Sequence, residues 1–327
     1  MSLVIPTNAF ERATVRYIRH QRALQKAFDH PTWILTHLAR YLTRQGAQDL
    51  DAQQFKAWSM QRPYRSPTTR RDEAMVVRRL CLYRRRTESA CFVPDSAHFP
   101  REVPPIQPVI LGAAEVARML EAIEAWRPHP QQPLRRAAMR MAVILFYTTG
   151  LRRGELVRLT LSDIDLSSGT LRIRDSKFHK SRMLPLSVSA TRELRAYLRQ
   201  RLETPWDISP EAPLLGHHHG VAHFRGYCGE ALSNAFRRLF IAAHVHDGHG
   251  RRPRLHDVRH SFAVQALLRW YRAGVDVQAK LPQLSMYMGH VSIVSTAYYL
   301  HFIPEIAQAA NRRFERHLGT VMKGGRS

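Results

Sequence analysis

Apolar residues in the first ninety positions recur at the three- and four-residue spacing of amphipathic helices. The segments ILTHLARYLTRQ and MVVRRLCLYRRR, which begin at Ile34 and Met75, both show this pattern. Two prolines in the segment between them interrupt it, and an N-cap near Thr68 or Thr69 is predicted where the helix resumes. Residues 1–92 are therefore predicted to form a helical domain.

A proline-rich stretch separates this pattern from a second one, so residues 93–108 are predicted to be a linker. Beyond it, helical patterns flank one segment in which apolar and polar positions alternate. This segment, GTLRIRDSKFHKSRMLPLS at 169–187, predicts a small β-hairpin or meander. Residues 109–327 are thus predicted to form a second domain, and the fold class is mainly α with a small antiparallel β-sheet.

The charge balance suggests one kind of partner for both domains. The 327 residues include 50 Lys and Arg against 26 Asp and Glu, a formal net charge of +24 that exceeds what solubility requires. Before residue 110 there are 18 basic and 9 acidic residues, and after it 32 and 17. Because both parts are basic, a polyanion bound by two domains fits better than a basic tail on a neutral enzyme.

Other features restrict the class of protein. The three cysteines, Cys81, Cys91 and Cys228, form no CxxC pair, which argues against a disulfide framework or a zinc-thiolate site. The first twenty residues lack the apolar core of a secretion signal, and no run reaches the ~18 apolar residues of a membrane span. A cytoplasmic protein is expected. Membrane-surface binding is disfavoured because no helix pairs a basic face with a strongly apolar one.

Four separated segments of the second part carry polar residues suited to phosphoryl chemistry. They are TTGLRRGEL at 148–156, SKFHKSR at 176–182, LHDVRHSFA at 255–263 and MGHVSIVSTAYYLH at 288–301. No segment is specific alone, but their order and spacing resemble the tyrosine recombinase (phage integrase) family, in particular its integrase and Xer-like members. The resemblance covers roughly residues 110–320. It implies a helical core-binding domain before an α+β catalytic domain that cleaves and religates DNA.

The resemblance carries the family's catalytic residues to six positions. The first arginine follows TG and Leu, which selects Arg152 over Arg153. The hairpin lysine, eight residues before the proline of a VPL-like strand, falls at Lys177, with Lys180 as the runner-up. The HxxR motif gives His256 and Arg259. The LGH motif, which reads MGH here, gives His290, and the tyrosine nine residues later is Tyr299. Glu155 and His260 match supporting positions of the family.

These residue types suit cleavage of a phosphodiester without a metal. The guanidinium groups of Arg152 and Arg259 can hold the non-bridging oxygens on which negative charge develops. A phenol with a pKa of ~10 is mostly protonated at neutral pH, so Tyr299 needs a proton acceptor, for which His256 is predicted. Lys177 is the predicted general acid for the leaving 5′ oxygen. Since the motifs lack an acidic cluster and a GxxxxGK[ST] loop, neither metal nor ATP nor another cofactor is expected.

The implied partner is double-stranded DNA. Two groups of arginines outside the motifs are predicted to contact its backbone, Arg70, Arg71, Arg78 and Arg79 in the first domain and Arg251, Arg252 and Arg254 before HxxR. By resemblance, a homotetramer would exchange strands between two DNA sites of a mobile element or replicon. Residues 304–318 would either pass to a neighbouring subunit or form an intramolecular helix.

Three alternatives remain open on the sequence. A type IB topoisomerase would use the same chemistry without pairing two sites, and an architectural protein or repressor would use the same basic surface without catalysis. The histidines of GHHHG and HVHDGHG, from His217 to His249, could bind a metal. They lie in loop-like segments without ligand spacing on a helix, so no physiological zinc site is expected.

Overall fold

A computed structural model describes residues 8–26, 28–101, 103–104, 106–176, 180–204, 207–219, 223–290 and 292–302. Over these residues the predicted fold class is confirmed, because helices dominate and the strands form small antiparallel sheets. The chain divides into two compact units, Met1–Ile106 and Gln107–Ser327. Within the described ranges, no helix is both long enough and apolar enough to cross a membrane.

The first unit contains four α-helices in its described part. They are α1 (Ala9–Ala23), α2 (Asp29–Arg44), α3 (Ala52–Met60) and α4 (Pro67–Arg84). The apolar stripe of α2 is buried against α1 and α4. The fourth helix begins earlier than predicted, because Ser66 and not Thr68 or Thr69 is its N-cap, accepting from the Thr69 N–H at 3.1 Å. Pro67 occupies the first helical position, where a missing N–H breaks no helical hydrogen bond.

The start of the predicted linker packs on the first unit. Phe99 is buried. Arg71 donates a hydrogen bond to the Pro100 carbonyl at 3.0 Å, and Arg78 donates to the Pro94 carbonyl. Proline lacks an N–H but keeps its carbonyl as an acceptor, so a proline-rich segment can be tied down by arginine side chains. The predicted linker, residues 93–108, is thus held against the first unit at Pro94 and Pro100.

The second unit contains eight helices and five strands in its described part. They are α5 (Ala113–Glu124), α6 (Arg135–Thr149), α7 (Arg153–Arg158), β1 (Ile164–Asp165), β2 (Thr170–Ser176), β3 (Lys180–Pro185), α8 (Val188–Leu202), β4 (Gly216–His219), β5 (His223–Gly226), α9 (Gly229–Ala242), α10 (Leu255–Arg272), α11 (Val277–Met288) and α12 (Val294–Phe302). Nearly all of α6 from Ala138 to Phe146 is buried, as expected for a helix that is apolar on every side. Its neighbours include α5, α8 and α10.

The strands form two antiparallel sheets, one ordered β1-β2-β3 and one formed by β4 and β5. The predicted hairpin corresponds to β2 and β3, where the buried Leu171 and Leu184 face each other. The second hairpin differs from the predicted loop at 217–219, because successive histidines lack the apolar alternation by which a strand is recognised. They lie on β4, with His217 opposite Arg225 of β5.

Two glycine turns place the chain segments of the predicted motifs. Gly150 ends α6 and Gly289 ends α11, both in the left-handed conformation with φ of 60° and 67°. A Cβ at Gly150 would lie 2.5 Å from Cδ1 of Phe262, and one at Gly289 would lie 2.7 Å from Nη1 of Arg182. Both positions therefore require glycine for backbone conformation and for space.

Candidate active site

Arg152 is the N-cap residue of α7, two positions after the Gly150 turn. Its Nη1 donates to Oε1 of Glu155 at 2.8 Å, and its Nη2 donates to the Gly289 carbonyl at 2.5 Å. The neighbouring Arg153 is exposed and donates to the Ser233 hydroxyl at 3.0 Å instead. The structure thus brings Arg152, and not Arg153, to the MGH turn.

Arg259 contacts the same turn from α10 and is only 2% exposed. Its Nη1 donates to the Gly150 carbonyl at 2.5 Å and its Nη2 to the Met288 carbonyl at 2.7 Å. Burial, together with the charge of Arg152, lowers the pKa of Arg259 to about 10, so the guanidinium stays protonated at neutral pH. Two cations bound to successive carbonyls form a site that favours an anion.

Glu155 connects Arg152 to a residue that the sequence analysis had not assigned. Its carboxylate accepts from the Arg152 N–H and Nη1, and from Nη1 and Nη2 of Arg182 at 3.0 and 2.9 Å. The Glu155 side chain is 1% exposed. Burial alone would raise its pKa, but the hydrogen bonds and charges of Arg182 and Arg152 outweigh burial and hold the pKa at about 2.

The Glu155 carboxylate is expected to make the fold dependent on pH in the acid range. Its pKa lies near 2 in the folded chain against an ordinary 4.5, a difference worth roughly 3 kcal/mol. This contribution is present above pH 4.5 and is lost as the pH falls toward 2. Urea unfolding at a series of pH values should show lower stability and a flatter pH dependence for Glu155→Gln.

The control for this measurement is Glu193→Gln, which breaks a half-exposed ion pair with Arg140. Such pairs contribute about 0–1 kcal/mol, so this variant should keep the wild-type pH dependence. If the free energy of unfolding of Glu155→Gln depends on acid pH as strongly as that of the wild type, the stabilising role of the buried carboxylate is contradicted.

His290 follows the Gly289 turn and is fixed by two contacts. Its backbone N–H donates to the Ser285 carbonyl at 2.9 Å, and its Nδ1 lies 2.7 Å from the Thr296 hydroxyl. Burial, and secondarily the charge of Arg259, lower the pKa of His290 to about 4. The imidazole is therefore neutral at neutral pH and can donate or accept one proton.

Tyr299 is buried, at 2% exposure. Its hydroxyl lies 2.8 Å from Nδ1 of His260, the residue assigned only a supporting position, whereas His256 had been predicted as the proton acceptor. The exposed His256 contacts His260 edge to face, with ring centroids 4.6 Å apart. Burial raises the pKa of Tyr299 to about 12 despite the charge of Arg259, and burial lowers that of His260 to about 4.

A cationic cavity of about 620 Å³ opens beside these residues. Three predicted catalytic residues, Arg152, His256 and Arg259, line it together with Arg153, Arg237 and Arg254. None of the described residues that line it is acidic, and Glu155 and Asp257 pair with the lining Arg152 and Arg254. Since guanidinium and imidazole groups are strong donors to anionic oxygens, the cavity is suited to a phosphate group.

The other predicted site residues are more scattered. Lys177 and residues 304–318 lie outside the described residues, and Lys180 begins β3. Arg251 pairs with Asp247 and Arg254 pairs with Asp257, each at 3.0 Å. Of the remaining predicted arginines, Arg79 and Arg252 are exposed and Arg70 is half-buried. Among the described side chains, no three His, Cys, Asp or Glu come together as metal ligands.

One face of α2 carries a cluster that the sequence analysis missed. Trp33 is 45% exposed, and the guanidinium carbons of Arg62 and Arg65 each lie 5.2 Å from its ring centroid. Nε1 of Trp58 donates to Nδ1 of His37 at 3.1 Å, and burial and four surrounding arginines lower the pKa of His37. We name the α2 face by its members Trp33, His37, Arg40, Arg44, Arg62 and Arg65. Four of them share helical spacing opposite the apolar stripe, a signal present in the sequence.

Comparison with known proteins identifies the family. The phage integrase family matches residues 110–305. The integrase/recombinase-named protein y4rB of Sinorhizobium fredii (strain NBRC 101917 / NGR234) is 31% identical over 319 residues, which are 94% of this chain and 98% of that protein. Tyrosine recombinase XerD of Vibrio cholerae serotype O1 is 26% identical, over 77% of this chain and 76% of XerD.

Solved structures agree at the level of the fold. The Tn1549 transposon integrase in complex with a circular intermediate DNA has a TM-score of 0.64 at 18% identity, covering 94% of this chain and 100% of that chain. The XerH site-specific recombinase in a post-cleavage complex with palindromic difH substrate has a TM-score of 0.59, also at 18% identity, covering 87% and 78%. The sequence match spans more than half of the chain, and the identity to y4rB extends over nearly all of it. The chain is therefore a member of the phage integrase family, the tyrosine recombinases.

Proposed function

We propose that this protein is a site-specific DNA recombinase that cleaves and rejoins duplex DNA through a 3′-phosphotyrosine linkage to Tyr299. One observation carries the proposal. Arg152 and Arg259 bind the successive carbonyls of Gly289 and Met288, at the turn that leads into His290. Such a pair of guanidinium groups would stabilise the negative charge that develops on the phosphate oxygens as the diester is cleaved. The names of the solved relatives, an integrase and a recombinase bound to DNA, support DNA as substrate.

The chemical step exchanges one ester bond for another. The Tyr299 oxygen attacks phosphorus as the bond to the 5′ oxygen breaks, and the 3′ side of the DNA becomes joined to the tyrosine. Arg152 and Arg259 hold the two non-bridging oxygens, with His290 as a further hydrogen-bond donor. The bond energy is kept in the new ester, so the reverse attack by a 5′ hydroxyl reseals DNA without ATP.

Proton transfer requires an acceptor and a donor. The phenol proton of Tyr299 passes to a histidine. The acceptor is either His256, as predicted, or His260, whose Nδ1 lies 2.8 Å from the Tyr299 hydroxyl. Lys177, which lies between β2 and β3 in the chain, supplies the proton for the departing 5′ oxygen, whose alkoxide is otherwise a poor leaving group. Because the Tyr299 side chain is buried against His260 and is not among the residues that line the cationic cavity, attack also requires this side chain to move.

We place the DNA backbone against basic residues of both units. In the second unit these are Arg251, Arg252 and Arg254, of which Arg254 lines the cationic cavity. In the first unit Arg70 and Arg79 remain candidates, whereas the guanidinium groups of Arg71 and Arg78 already donate to backbone carbonyls. The α2 face adds the exposed Arg40 and Arg44 beside an exposed tryptophan, a combination suited to phosphate and base contacts. Arg62 and Arg65 of this face pair with Glu73. A homotetramer acting on two sites in the cytoplasm, with residues 304–318 exchanged between subunits, completes the proposal.

The α2 face is expected to account for much of the salt dependence of DNA binding. Replacing the exposed Arg40 and Arg44 by Ala should reduce the slope of log affinity against log salt by about 2, since each phosphate contact contributes roughly 0.9. The matched variant replaces Arg71 and Arg78 and should chiefly lower thermal stability. Fluorescence anisotropy over a series of salt concentrations measures both slopes. A larger change of slope in the variant that lacks Arg71 and Arg78 would indicate that α4, and not the α2 face, contacts the DNA backbone.

The proposed function is tested by trapping on a nicked suicide duplex taken from DNA that flanks the gene. After cleavage, the short DNA fragment between the cleaved bond and the nick dissociates, so the strand cannot be resealed. A covalent protein-DNA adduct should therefore accumulate and be seen on a denaturing gel. Adduct formation should be unaffected by EDTA, because arginines supply the charge that a metal would otherwise provide. Recombinant products from two-site plasmids would distinguish a recombinase from a topoisomerase. Tight binding without any adduct would contradict the proposal.

A further inference from the structure

His37 lies in the middle of the α2 face, and one hydrogen bond holds its ring. Nε1 of Trp58, a residue that is 2% exposed, donates to Nδ1 of His37 at 3.1 Å. An indole nitrogen can only donate, so Nδ1 of His37 must be the acceptor and carries no proton. The single proton of the neutral imidazole is therefore on Nε2. The contact with Trp58 fixes His37 as the tautomer that donates through Nε2.

The surroundings of His37 also keep its ring neutral. Burial lowers the pKa of His37 from its ordinary 6.5, and the nearby guanidinium charges lower it further, in the order Arg62, Arg44, Arg65 and Arg40. Protonation would add a fifth cation to this group and would turn an N–H of His37 against the N–H of Trp58. At neutral pH His37 is consequently an uncharged donor of fixed direction.

His37 lines an open groove of about 310 Å³ along α2. Beside it Trp33 is 45% exposed, with its ring centroid 5.6 Å from that of His37. Within the described part of the chain, Nε2 of His37 and the guanidinium of Arg40 have no hydrogen-bond partner. Asp29, the acidic residue of the described lining, lies two turns away at the start of α2, 3.9 Å from Arg22. The groove thus offers unused donors near His37.

The exposed side of α2 has the dimensions of a DNA-binding helix. Its aromatic and basic residues recur at three- and four-residue intervals and so lie on one side, namely His30, Trp33, His37, Arg40 and Arg44. An α-helix fits into the major groove, which is about 12 Å wide. Arg40 and Arg44 are exposed one and two turns beyond His37, where they can contact phosphates. The neutral His37 between these cations and Trp33 is then placed to meet a base edge.

A donor of fixed direction discriminates between bases. In the major groove guanine presents two adjacent acceptors, N7 and O6. Adenine presents an acceptor beside a donor, thymine an acceptor beside a methyl group, and cytosine a donor. We propose that His37, with its tautomer set by Trp58, is a specificity-determining residue that donates through Nε2 to a guanine of the DNA site. The inference rests on the proposed function and adds base recognition to the backbone contacts of the α2 face.

The inference is tested by affinity selection of the full chain on a library of random-sequence DNA duplexes. The wild type should select a motif with a guanine at which replacing G·C by A·T weakens binding by about 5-fold or more, the scale of one lost base contact. His37→Phe keeps an aromatic ring but has no donor, so the penalty at this position should fall to about 2-fold or less. Penalties at the other positions should stay unchanged. A motif without guanine, or an equal penalty in both proteins, would overturn the inference.

A second variant tests the tautomer separately from the ring. Trp58→Phe keeps His37 but removes the indole donor, so the imidazole can turn either a donor or an acceptor toward the DNA. The acceptor form binds the amino group of adenine, and the penalty for A·T at the selected guanine should therefore fall. Thermal unfolding checks that each variant is folded. An unchanged penalty in folded Trp58→Phe would contradict the role given to this hydrogen bond and overturn the inference.

His37→Gln serves if His37→Phe does not fold. A glutamine amide both donates and accepts, and it pairs with N6 and N7 of adenine. The preference at the selected position should then move from guanine to adenine, and a retained preference for guanine would overturn the inference.

The matched control is His30→Phe. His30 is exposed on the same helix two turns before His37, and its ring stacks on Trp33 with centroids 6.4 Å apart. The same chemical change should leave the guanine and its penalty as in the wild type, and an equal loss in both variants would overturn the role of His37. Tight wild-type binding without any enriched sequence would overturn the inference alone. A wild type that binds no DNA would overturn the proposed function itself.

Discussion

Tyr299→Phe is expected to abolish the covalent protein-DNA adduct, lowering its formation on the order of 10³-fold or more, because Tyr299 is the proposed source of the attacking oxygen. The substitution removes one atom from a side chain that is 2% exposed. It also removes the hydrogen bond to His260, at a cost of about 1 kcal/mol. The variant should therefore fold and bind DNA as the wild type does, and a denaturing gel of the suicide-substrate reaction should show no shifted band.

Tyr298→Phe is the matched control for this experiment. Tyr298 is the adjacent residue on α12, and its ring centroid lies 5.8 Å from that of Tyr299. The adduct should persist at close to the wild-type level in this variant. Loss of the adduct with Tyr298→Phe but not with Tyr299→Phe would show that the nucleophile had been assigned one residue too late.

Arg152→Ala is expected to reduce the rate of adduct formation by about 10²–10³-fold, the range seen when one donor to a developing oxyanion is removed. Arg152 lines the cationic cavity and binds the Gly289 carbonyl at 2.5 Å. Its loss would leave one of the two non-bridging oxygens without a guanidinium and would leave Glu155 with Arg182 alone. Single-turnover kinetics at saturating protein separate this effect from weaker binding.

Arg153→Ala is the control, because it removes the same charge one residue away. Arg153 donates to the Ser233 hydroxyl at 3.0 Å and makes no contact with the Gly289 turn among the described residues. We expect a change in DNA affinity and salt dependence with the cleavage rate of the bound complex nearly preserved. Equal loss of that rate in both variants would mean that net charge, and not the geometry of Arg152, governs the step.

Local pattern was sufficient for most helices and for the first hairpin. The buried stripe of α2 and the paired Leu171 and Leu184 follow directly from residue spacing. The β4-β5 hairpin was missed because its histidines are polar at successive positions, which hides the alternation on which strand prediction depends. The start of α4 was misplaced because Ser66 competes with two threonines as a cap.

The contacts within the site could not be predicted from spacing. Arg182 is 27 positions from Glu155, and His260 is 39 positions from Tyr299. Motif matching identifies which residues belong together but not which hydrogen bond each one makes, because that choice depends on how the helices pack. The contact of Tyr299 with His260 and the pairing of Arg182 with Glu155 therefore became visible only in the folded chain.

The MGH turn also sets the distance between the guanidinium groups of Arg259 and Arg152. Arg259 and Arg152 bind the carbonyls of Met288 and Gly289, so one peptide unit sets the separation of the two cations. The side chain of the neighbouring Met286 is exposed and can change without altering this distance. Inserting or deleting a single residue would alter it at once. Variation among homologues should therefore be tolerated at the exposed position 286 and rejected in the length of the turn.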